Sequence, residues 1–424
     1  MKTVFVLGAG FSKEAGAPMQ AEIMEEIFKI RKEDPSYFNG SEFRLFENLL
    51  IKQLYYKRSQ FKYIQIEDIF TPLDRCLADN IQFRGLSIEQ MIKTRDAIFN
   101  IIGMAIKEIL NRKGKSKEYI DDFARYLVGK CSKRLGGNYR LNDPVSVIST
   151  NWDILLDNSI YNHIQQSFPQ RAVVDYCCYI SSLEEKDETV KPGLEVLGAG
   201  GFNVKLLKIH GSLNWLQCSR CMRLYVGFNE KKGALRGLTC RHCDNNYTAK
   251  SNENRLISNL IMPTFLKDLS NPQYKIIWQN AGIELSEADK IIFIGYSLPS
   301  ADFEMRQLLS RMTKRNVKIE VVTYEEDKRK EKDIKNIGRH SLESVRLKFI
   351  YAVPAISLSD PYILIKGYWQ MMGLISQSHI LGFGYNLDLD SLDRSLICKN
   401  GPPTRQMPGW WSKTKCRVCC SLFT

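Results

Sequence analysis

The stretch VFVLGAGFSKEAGAP, residues 4–18, begins as a short apolar run and breaks into a glycine-rich turn. Gly8 and Gly10 have the spacing that lets a backbone turn tightly and approach a pyrophosphate, whose charge would meet the N-terminus of the following helix. Ser12 adds a hydroxyl within the same turn. The stretch predicts a strand followed by a nucleotide-binding loop, and a plain strand-to-helix turn is the alternative.

The usual dinucleotide fingerprint has a third glycine three residues after the second. This chain has Lys13 at that position, and its next glycine is Gly16. The pattern therefore weakens the interpretation as an ordinary dehydrogenase.

Five short apolar runs recur along the chain, each ending in small or polar residues. They lie at residues 3–7, 145–148, 205–209, 291–294 and 318–322. Runs that are apolar on both faces are typical of buried parallel strands. Ligands of open α/β sheets bind outside the carboxyl ends of the strands, so we expect the loops after these runs to converge on one cleft. The predicted fold class is α/β, with a Rossmann-like parallel sheet.

Polar residues follow the second and third runs directly. Asn151 would hold a ribose hydroxyl or a water, and Asp153 would orient a polar ligand group, although both residue types are also good helix N-caps. His210, one of five histidines, follows the third run. Because histidine changes charge near neutral pH, it suits a general base, and a hydrogen-bonded residue at a strand edge is the alternative.

The loop after the fourth run is Gly295-Tyr296-Ser297-Leu298-Pro299, with Asp302 at the start of the next predicted helix. A nucleotide-binding loop is one interpretation of this segment. A capping role is the alternative for Asp302.

The sharpest local pattern is a pair of Cys-x-x-Cys knuckles. Cys218 and Cys221 are followed, after eighteen residues, by Cys240 and Cys243. Four thiolates at this spacing are typical of a closed tetrahedral zinc site. Since sulfur fills all four positions, the predicted ion is structural and the surrounding module spans about residues 215–255.

A long helical stretch separates the first two runs. Apolar residues recur at three- and four-residue spacing over residues 20–30, 43–57, 88–112 and 119–131. This periodicity predicts a helical insertion over about residues 20–140, packed beside the sheet. Residues 326–424 are interpreted as a C-terminal extension of unknown role. From about residue 352 their apolar residues show no clear periodicity and no recognisable domain.

Composition narrows the class of protein. The 424 residues include 44% hydrophobic and 25% charged residues, which are ordinary globular values. The formal charge of +13 comes from basic residues mixed with acids along the chain, so nucleic-acid binding is left open. No run is long enough to cross a bilayer, and Gly8, Gly10 and Lys13 interrupt any signal-like apolar region, so a cytoplasmic protein without membrane contact is expected.

Taken in order, these motifs resemble the sirtuins and the sirtuin-like NAD hydrolases over about residues 1–325. The resemblance implies an NAD-binding catalytic domain with a helical and a zinc module, and cleavage of the bond between nicotinamide and ribose. It also implies roles for the motif residues: an NAD-cradling loop of Gly8, Ala9, Gly10 and Ser12, ribose and nicotinamide contacts from Asn151 and Asp153, a catalytic His210, an adenosine-side lining of Gly295 and Ser297, and zinc ligands Cys218, Cys221, Cys240 and Cys243.

The chain departs from the protein deacylases of this family at two places. They usually continue the first loop as Gly-Ile-Pro-x-Phe-Arg, whereas this chain has Gly16-Ala17-Pro18-Met19-Gln20. Late in the domain they usually have an asparagine after a strand, where this chain has Thr323-Tyr324. These departures are similar to those of the bacterial defence NAD hydrolases, whereas the retained zinc module is a deacylase-like feature.

The sequence therefore predicts an enzyme that hydrolyses NAD to nicotinamide and ADP-ribose, in prokaryotic anti-phage defence by resemblance alone. An NAD-dependent protein deacylase is the first alternative. A non-catalytic nucleotide-sensing or nucleic-acid-binding zinc protein is an alternative of another class. Because a regulated NAD hydrolase needs restraint, a homo-oligomer or a partner protein is also expected.

Overall fold

The computed structural model describes residues 1–112, 116–136, 143–228, 238–247, 254–262, 264, 267, 269, 271–299, 302–322 and 349–352. At residues 259 and 349–352 only the backbone is described. The predicted C-terminal extension, residues 326–424, lies outside the described residues apart from one short strand at 349–352, and so does the Thr323-Tyr324 pair.

Two sheets are found within the described residues. Their strands are β1 Thr3–Leu7, β2 Val145–Ser149, β3 Ala172–Asp175, β4 Ile180–Ser182, β5 Phe202–Lys208, β6 Gly211–Cys218, β7 Leu224–Val226, β8 Leu256–Leu260, β9 Lys290–Ile294, β10 Lys318–Val322 and β11 Phe349–Ala352. The larger sheet has the order β11-β10-β9-β1-β2-β5-β3, parallel except for β11. The Rossmann-like parallel sheet predicted from the apolar runs is thus confirmed.

The register of the larger sheet brings several strand ends to one level. Leu7 of β1 lies beside Ser149 of β2 on one side and Ile294 of β9 on the other. Val322 of β10 pairs in turn with Ile294. The chain leaves β1 toward β2 and later returns to the opposite side of β1 as β9. This reversal is the topological switch point, where open α/β sheets bind their ligands.

Eleven α-helices surround the sheets in the part of the chain that is described. They are α1 Ala9–Lys13, α2 Ile23–Glu33, α3 Gly40–Asn48, α4 Ile66–Ala78, α5 Ile88–Asn111, α6 Glu118–Cys131, α7 Leu155–Ser167, α8 Gly193–Gly198, α9 Arg241–Asn246, α10 Pro272–Glu287 and α11 Phe303–Met312. The apolar faces of α6, α7, α10 and α11 share one core with the larger sheet. The central strands β1 and β2 are buried at every residue, as parallel strands between helices should be.

Helices α2 to α5 form a layer with its own core, which we call the helical layer. Phe28, Phe43 and Phe46 pack against one another in it, with ring centroids 5.8 to 6.1 Å apart. The same core reaches Trp152 and Leu213, which lie beside the strand ends of the larger sheet. The helical layer therefore forms a wall close to the carboxyl edge of that sheet.

The smaller sheet has the order β4-β7-β6-β8 and holds the four cysteines near one end. Strand β6 begins directly after His210 and ends at Cys218. One continuous strand therefore links the carboxyl edge of the larger sheet to the cysteine cluster. No helix among the described residues is long and apolar enough to span a bilayer.

Candidate active site

A cleft of about 330 Å³ lies at the carboxyl edge of the larger sheet, over the switch point. This volume is within the range of small-molecule sites, which is roughly 300–1,000 Å³. Its walls come from the loops after β1, β2, β5 and β9 and from the helical layer. The side chains that line the cleft include Asn151, Asp153, His210, Asp302, Gln20 and Glu67.

The loops after β1 and β9 touch each other directly, and this contact requires glycine. The amide of Gly10 donates to the carbonyl of Gly295 over 2.9 Å. A Cβ added at Gly8 would lie 2.6 Å from that carbonyl oxygen, and one at Gly295 would lie 2.3 Å from the backbone nitrogen of Phe11. Gly295 also has a φ of +60°, which favours glycine. The close approach of two backbones, besides any approach to a phosphate, therefore accounts for these glycines.

Replacing Gly295 by alanine should lower the free energy of unfolding by about 2–4 kcal/mol, because a backbone clash adds to the cost of the left-handed conformation. Chemical denaturation measures this loss. Gly129→Ala is the matched control, since a Cβ there meets nothing within 4 Å and lies in helix α6. Equal stabilities of the two variants would contradict the contact between the loops.

Helix α1 is short and ends at Lys13, where the usual fingerprint has its third glycine. The amide of Gly16 bonds to the carbonyl of Lys13, and the amide of Ala17 bonds to the carbonyl of Ser12. With the φ of +95° at Gly16, this is a Schellman C-cap. Lys13 then pairs with Glu22 at the surface. The glycine that follows the loop therefore serves to end the helix.

Asn151 is held rigidly in the loop after β2. Its Nδ2 donates to the carbonyl of Gly8 over 2.9 Å and to Oγ of Ser12 over 3.3 Å. The side chain is buried, and its Oδ1 atom has no hydrogen-bond partner among the residues that the structure describes. A buried acceptor without a partner is costly unless a ligand or water supplies a donor. Oδ1 is therefore preorganised to accept a hydrogen bond at the edge of the cleft.

The sequence predicts ligand contacts for Ser12 and Asp153, but both side chains make hydrogen bonds within the protein. Ser12 is buried and receives the bond from Asn151, so it supports that side chain from behind. Asp153 Oδ1 accepts from the amide of Leu155 over 3.1 Å, which is a local Asx-turn contact just before α7. Asp153 also lines the cleft. Ala9 and Gly295 line the cleft as well, and Ser297 lines it as an exposed residue.

A buried ion pair underlies the loop that carries Asn151. Nζ of Lys208, at the end of β5, donates to the carbonyl of Asp153 over 2.6 Å and to Asp157 Oδ2 over 3.1 Å. The hydroxyl of Tyr176 donates to the other oxygen of Asp157 over 2.9 Å. Burial raises the pKa of Asp157, and Lys208 and Tyr176 offset that rise only in part. Sequence patterns do not reveal this support, because its members come from separate elements.

His210 lies in the turn between β5 and β6, buried at the wall of the cleft. Its Nε2 is 3.2 Å from Oδ1 of Asp302. The indole of Trp278 donates to the carbonyl of Ile209 over 3.1 Å and so fixes the turn. The structure thus brings His210 and Asn151 to the same cleft, as the convergence of the strand ends predicts.

The helical layer contributes a carboxylate that no sequence motif marks. Glu67, on α4, lines the cleft and accepts a hydrogen bond from the side chain of Gln20. Within the described part of the chain, its Oε2 has no hydrogen-bond partner. Burial raises the pKa of Glu67, and the bond from Gln20 and the charge of Lys267 offset the rise only in part. No local pattern marks this residue, since its position depends on how the helical layer packs.

The four cysteines of the two knuckles come together as predicted. Their sulfur atoms all lie within 4.8 Å of one another, with Cys218 to Cys243 at 3.8 Å and Cys221 to Cys240 at 3.7 Å. Zinc–sulfur bonds of about 2.3 Å in a tetrahedron require sulfur atoms roughly 3.8 Å apart. The donor set and its spacing therefore fit a zinc ion. The residues are held on β6, the following turn and α9.

No protein-family model and no curated protein matches the chain. Solved structures similar to it include a Sir2 homologue in complex with NAD, at 12% identity and a TM-score of 0.35 over 76% of this chain and 77% of that chain. Another concerns sirtuin substrate affinity, at 14% identity and a TM-score of 0.31 over 76% and 82%. A third is a mutant Sir2 homologue with ADP-ribose, at 13% identity and a TM-score of 0.33 over 76% and 79%.

The α/β class with a parallel Rossmann-like sheet and a four-cysteine cluster is confirmed.

Proposed function

We propose that the chain binds NAD in the cleft at the switch point and hydrolyses the bond between nicotinamide and ribose. The observation that carries the proposal is the buried Asn151, whose free acceptor lies in one cleft with His210. An amide acceptor and an imidazole at the carboxyl edge of a parallel sheet suit a hydroxylated ligand that undergoes proton transfer.

The proposed reaction needs few groups. Breaking the nicotinamide–ribose bond returns its electron pair to the pyridine nitrogen and leaves a ribose cation of oxocarbenium character, as in other glycosyl cleavages. Water then bonds to the anomeric carbon and loses a proton. Asn151 Oδ1 would accept from a ribose hydroxyl or from that water, and His210 would take the proton. The products are nicotinamide and ADP-ribose.

The residues at one wall of the cleft favour hydrolysis over acyl transfer. Where the deacylases have an aromatic residue, this chain has Gln20, which is bonded to Glu67. Ala21 replaces their arginine, and Met19 precedes both. All four of these side chains line the cleft. This wall of the cleft thus differs from the deacylase pattern in its polarity and in having a carboxylate.

Chromatography of the products made from NAD, with and without an acetylated lysine peptide, separates the two enzyme hypotheses. We expect nicotinamide and ADP-ribose in equal amounts in both samples. Nicotinamide release only with peptide, together with an acylated ADP-ribose, would make the protein a deacylase. Binding of NAD without any turnover would favour the non-catalytic alternative.

Zinc is proposed to be structural in this scheme. Strand β6 joins His210 to the ligand Cys218, so an ordered cluster would also order the turn that carries His210. The purified protein should contain one zinc ion per chain, and chelation should lower its melting temperature, since binding of a structural metal contributes folding free energy. Metal analysis and thermal melts check this. A protein without zinc that melts at an unchanged temperature after chelator treatment would contradict it.

A role in prokaryotic anti-phage defence is proposed from the sequence resemblance alone. Depletion of cellular NAD on expression of the wild-type chain, but not of Asn151→Ala, would be its first test. An unchanged NAD level during phage challenge would count against it.

A further inference from the structure

Asp302 occupies the N-cap position of α11, yet its side chain makes no capping hydrogen bond. The first helical hydrogen bond of α11 runs from the amide of Arg306 to the carbonyl of Asp302, so Asp302 starts the helix through its backbone only. The carboxylate is buried and lines the cleft. Capping therefore does not account for this residue.

Both oxygens of the Asp302 carboxylate have close polar neighbours. Oδ1 lies 3.2 Å from Nε2 of His210 and 3.0 Å from Nζ of Lys267, as charge contacts whose angles fall outside hydrogen-bond geometry among the described residues. Oδ2 accepts a hydrogen bond from the hydroxyl of Tyr296. The Lys267 side chain has no exposed surface and also lies 3.0 Å from Glu304. A carboxylate held from two other sides cannot easily turn away from the imidazole.

Around Asp302 and His210 the carboxylates outnumber the lysine that faces them. Lys267 faces two carboxylates, Asp302 and Glu304, and Glu67 of the helical layer is near enough for Lys267 to influence its pKa. Burying ions is costly unless they are paired. Burial by itself raises the pKa of Asp302, but His210 and Lys267 outweigh burial and hold that pKa well below its ordinary value. Asp302 therefore stays ionised over the working range of an enzyme.

We propose that Asp302 is a positioning residue, which holds His210 with the hydrogen on Nε2 and leaves Nδ1 as the nitrogen that receives a proton. The inference rests on the proposed function for the identity of the reaction, but the state of the imidazole does not depend on it. Since a carboxylate accepts and cannot donate, it selects the tautomer that points N–H at it. In hydrolases with a histidine base, a buried aspartate fixes the tautomer in this way.

The first test is a spectrum that needs no substrate. Long-range proton–nitrogen correlation of protein labelled in its five histidine side chains shows which ring nitrogen carries hydrogen. The His210 signal is identified by its absence in His210→Ala. At mildly alkaline pH we expect hydrogen on Nε2 only. Hydrogen on Nδ1, in the neutral ring or in the cation, would overturn the proposal without reference to any variant of Asp302.

The second test is kinetic. Asp302→Asn should lower kcat for NAD cleavage at least about 100-fold with a much smaller change in KM, because a neutral amide can stabilise the wrong tautomer. Glu304→Gln is the matched control, since it removes the other carboxylate on Lys267 but does not contact His210. Wild-type kcat in a folded Asp302→Asn protein would overturn the proposal. If the wild-type chain leaves NAD intact, the proposed function fails, and the spectrum still decides on Asp302.

Discussion

Replacing His210 by alanine should lower kcat for NAD cleavage by about 10²- to 10⁴-fold, which is the usual contribution of a positioned general base. The expected change in KM is much smaller, because the proton transfer is confined to the transition state. Initial rates at several NAD concentrations separate the two constants. The side chain is buried at the cleft wall, so the melting temperature of the variant should be measured beside the rates.

His163→Ala is the control for this experiment. His163 lies on α7, and its Nε2 contacts the carbonyl of Asp121 at 3.2 Å. It does not line the cleft. We expect wild-type kinetics from His163→Ala. A folded His210→Ala protein with wild-type kcat would remove the histidine from the proposed chemistry.

Replacing Asn151 by alanine should lower kcat/KM for NAD at least about 100-fold. The reason is twofold: the variant loses the acceptor Oδ1, and it releases the bonds that tie the loop after β2 to Gly8 and Ser12. A preorganised polar group of an active site is commonly worth 10²- to 10³-fold in rate. Progress curves at low NAD concentration measure this ratio directly.

Asn280→Ala controls for the lost backbone hydrogen bonds. Its Nδ2 donates to the carbonyls of Cys177 and Ile276, each over 3.0 Å, at a position on α10 that does not line the cleft. Both variants should lose some stability, whereas only Asn151→Ala should lose activity. Equal kcat/KM values for the two would contradict the assignment of Asn151.

The parallel sheet was readable from the sequence because its strands are buried on both faces. Strands β1 and β10 have the bounds that their apolar runs predict, Thr3–Leu7 and Lys318–Val322. Once the runs are parallel, their polar successors must meet at one edge. The convergence of Asn151 and His210 on a single cleft therefore follows from pattern and topology together.

Other features depend on packing between distant elements and were missed. The edge strand β3 was not predicted, and the apolar run at residues 43–57 passes from α3 into a π-helical turn at Leu49–Gln53 instead of remaining one α-helix. Glu67 enters the cleft only because the helical layer packs beside the sheet. A local pattern carries no information about such contacts.

The role of the glycines was only partly readable. A Gly-x-Gly loop after a strand indicates a close approach to the backbone, but it does not show whether a ligand or another protein loop makes that approach. In this chain the neighbour of Gly8 and Gly10 is the loop at Gly295. The cysteine knuckles were easier to interpret, because the chemistry of four thiolates leaves few alternatives at that spacing.

A proton NMR time course of NAD with the purified, zinc-loaded wild-type chain follows free nicotinamide, NAD and ADP-ribose together in one sample. The NAD signals should decay while those of nicotinamide and ADP-ribose rise in equal amounts, without peptide, and Asn151→Ala should slow this decay at least about 100-fold. Undiminished NAD signals with the folded wild-type protein, or equal decay with Asn151→Ala, would contradict the proposed hydrolysis.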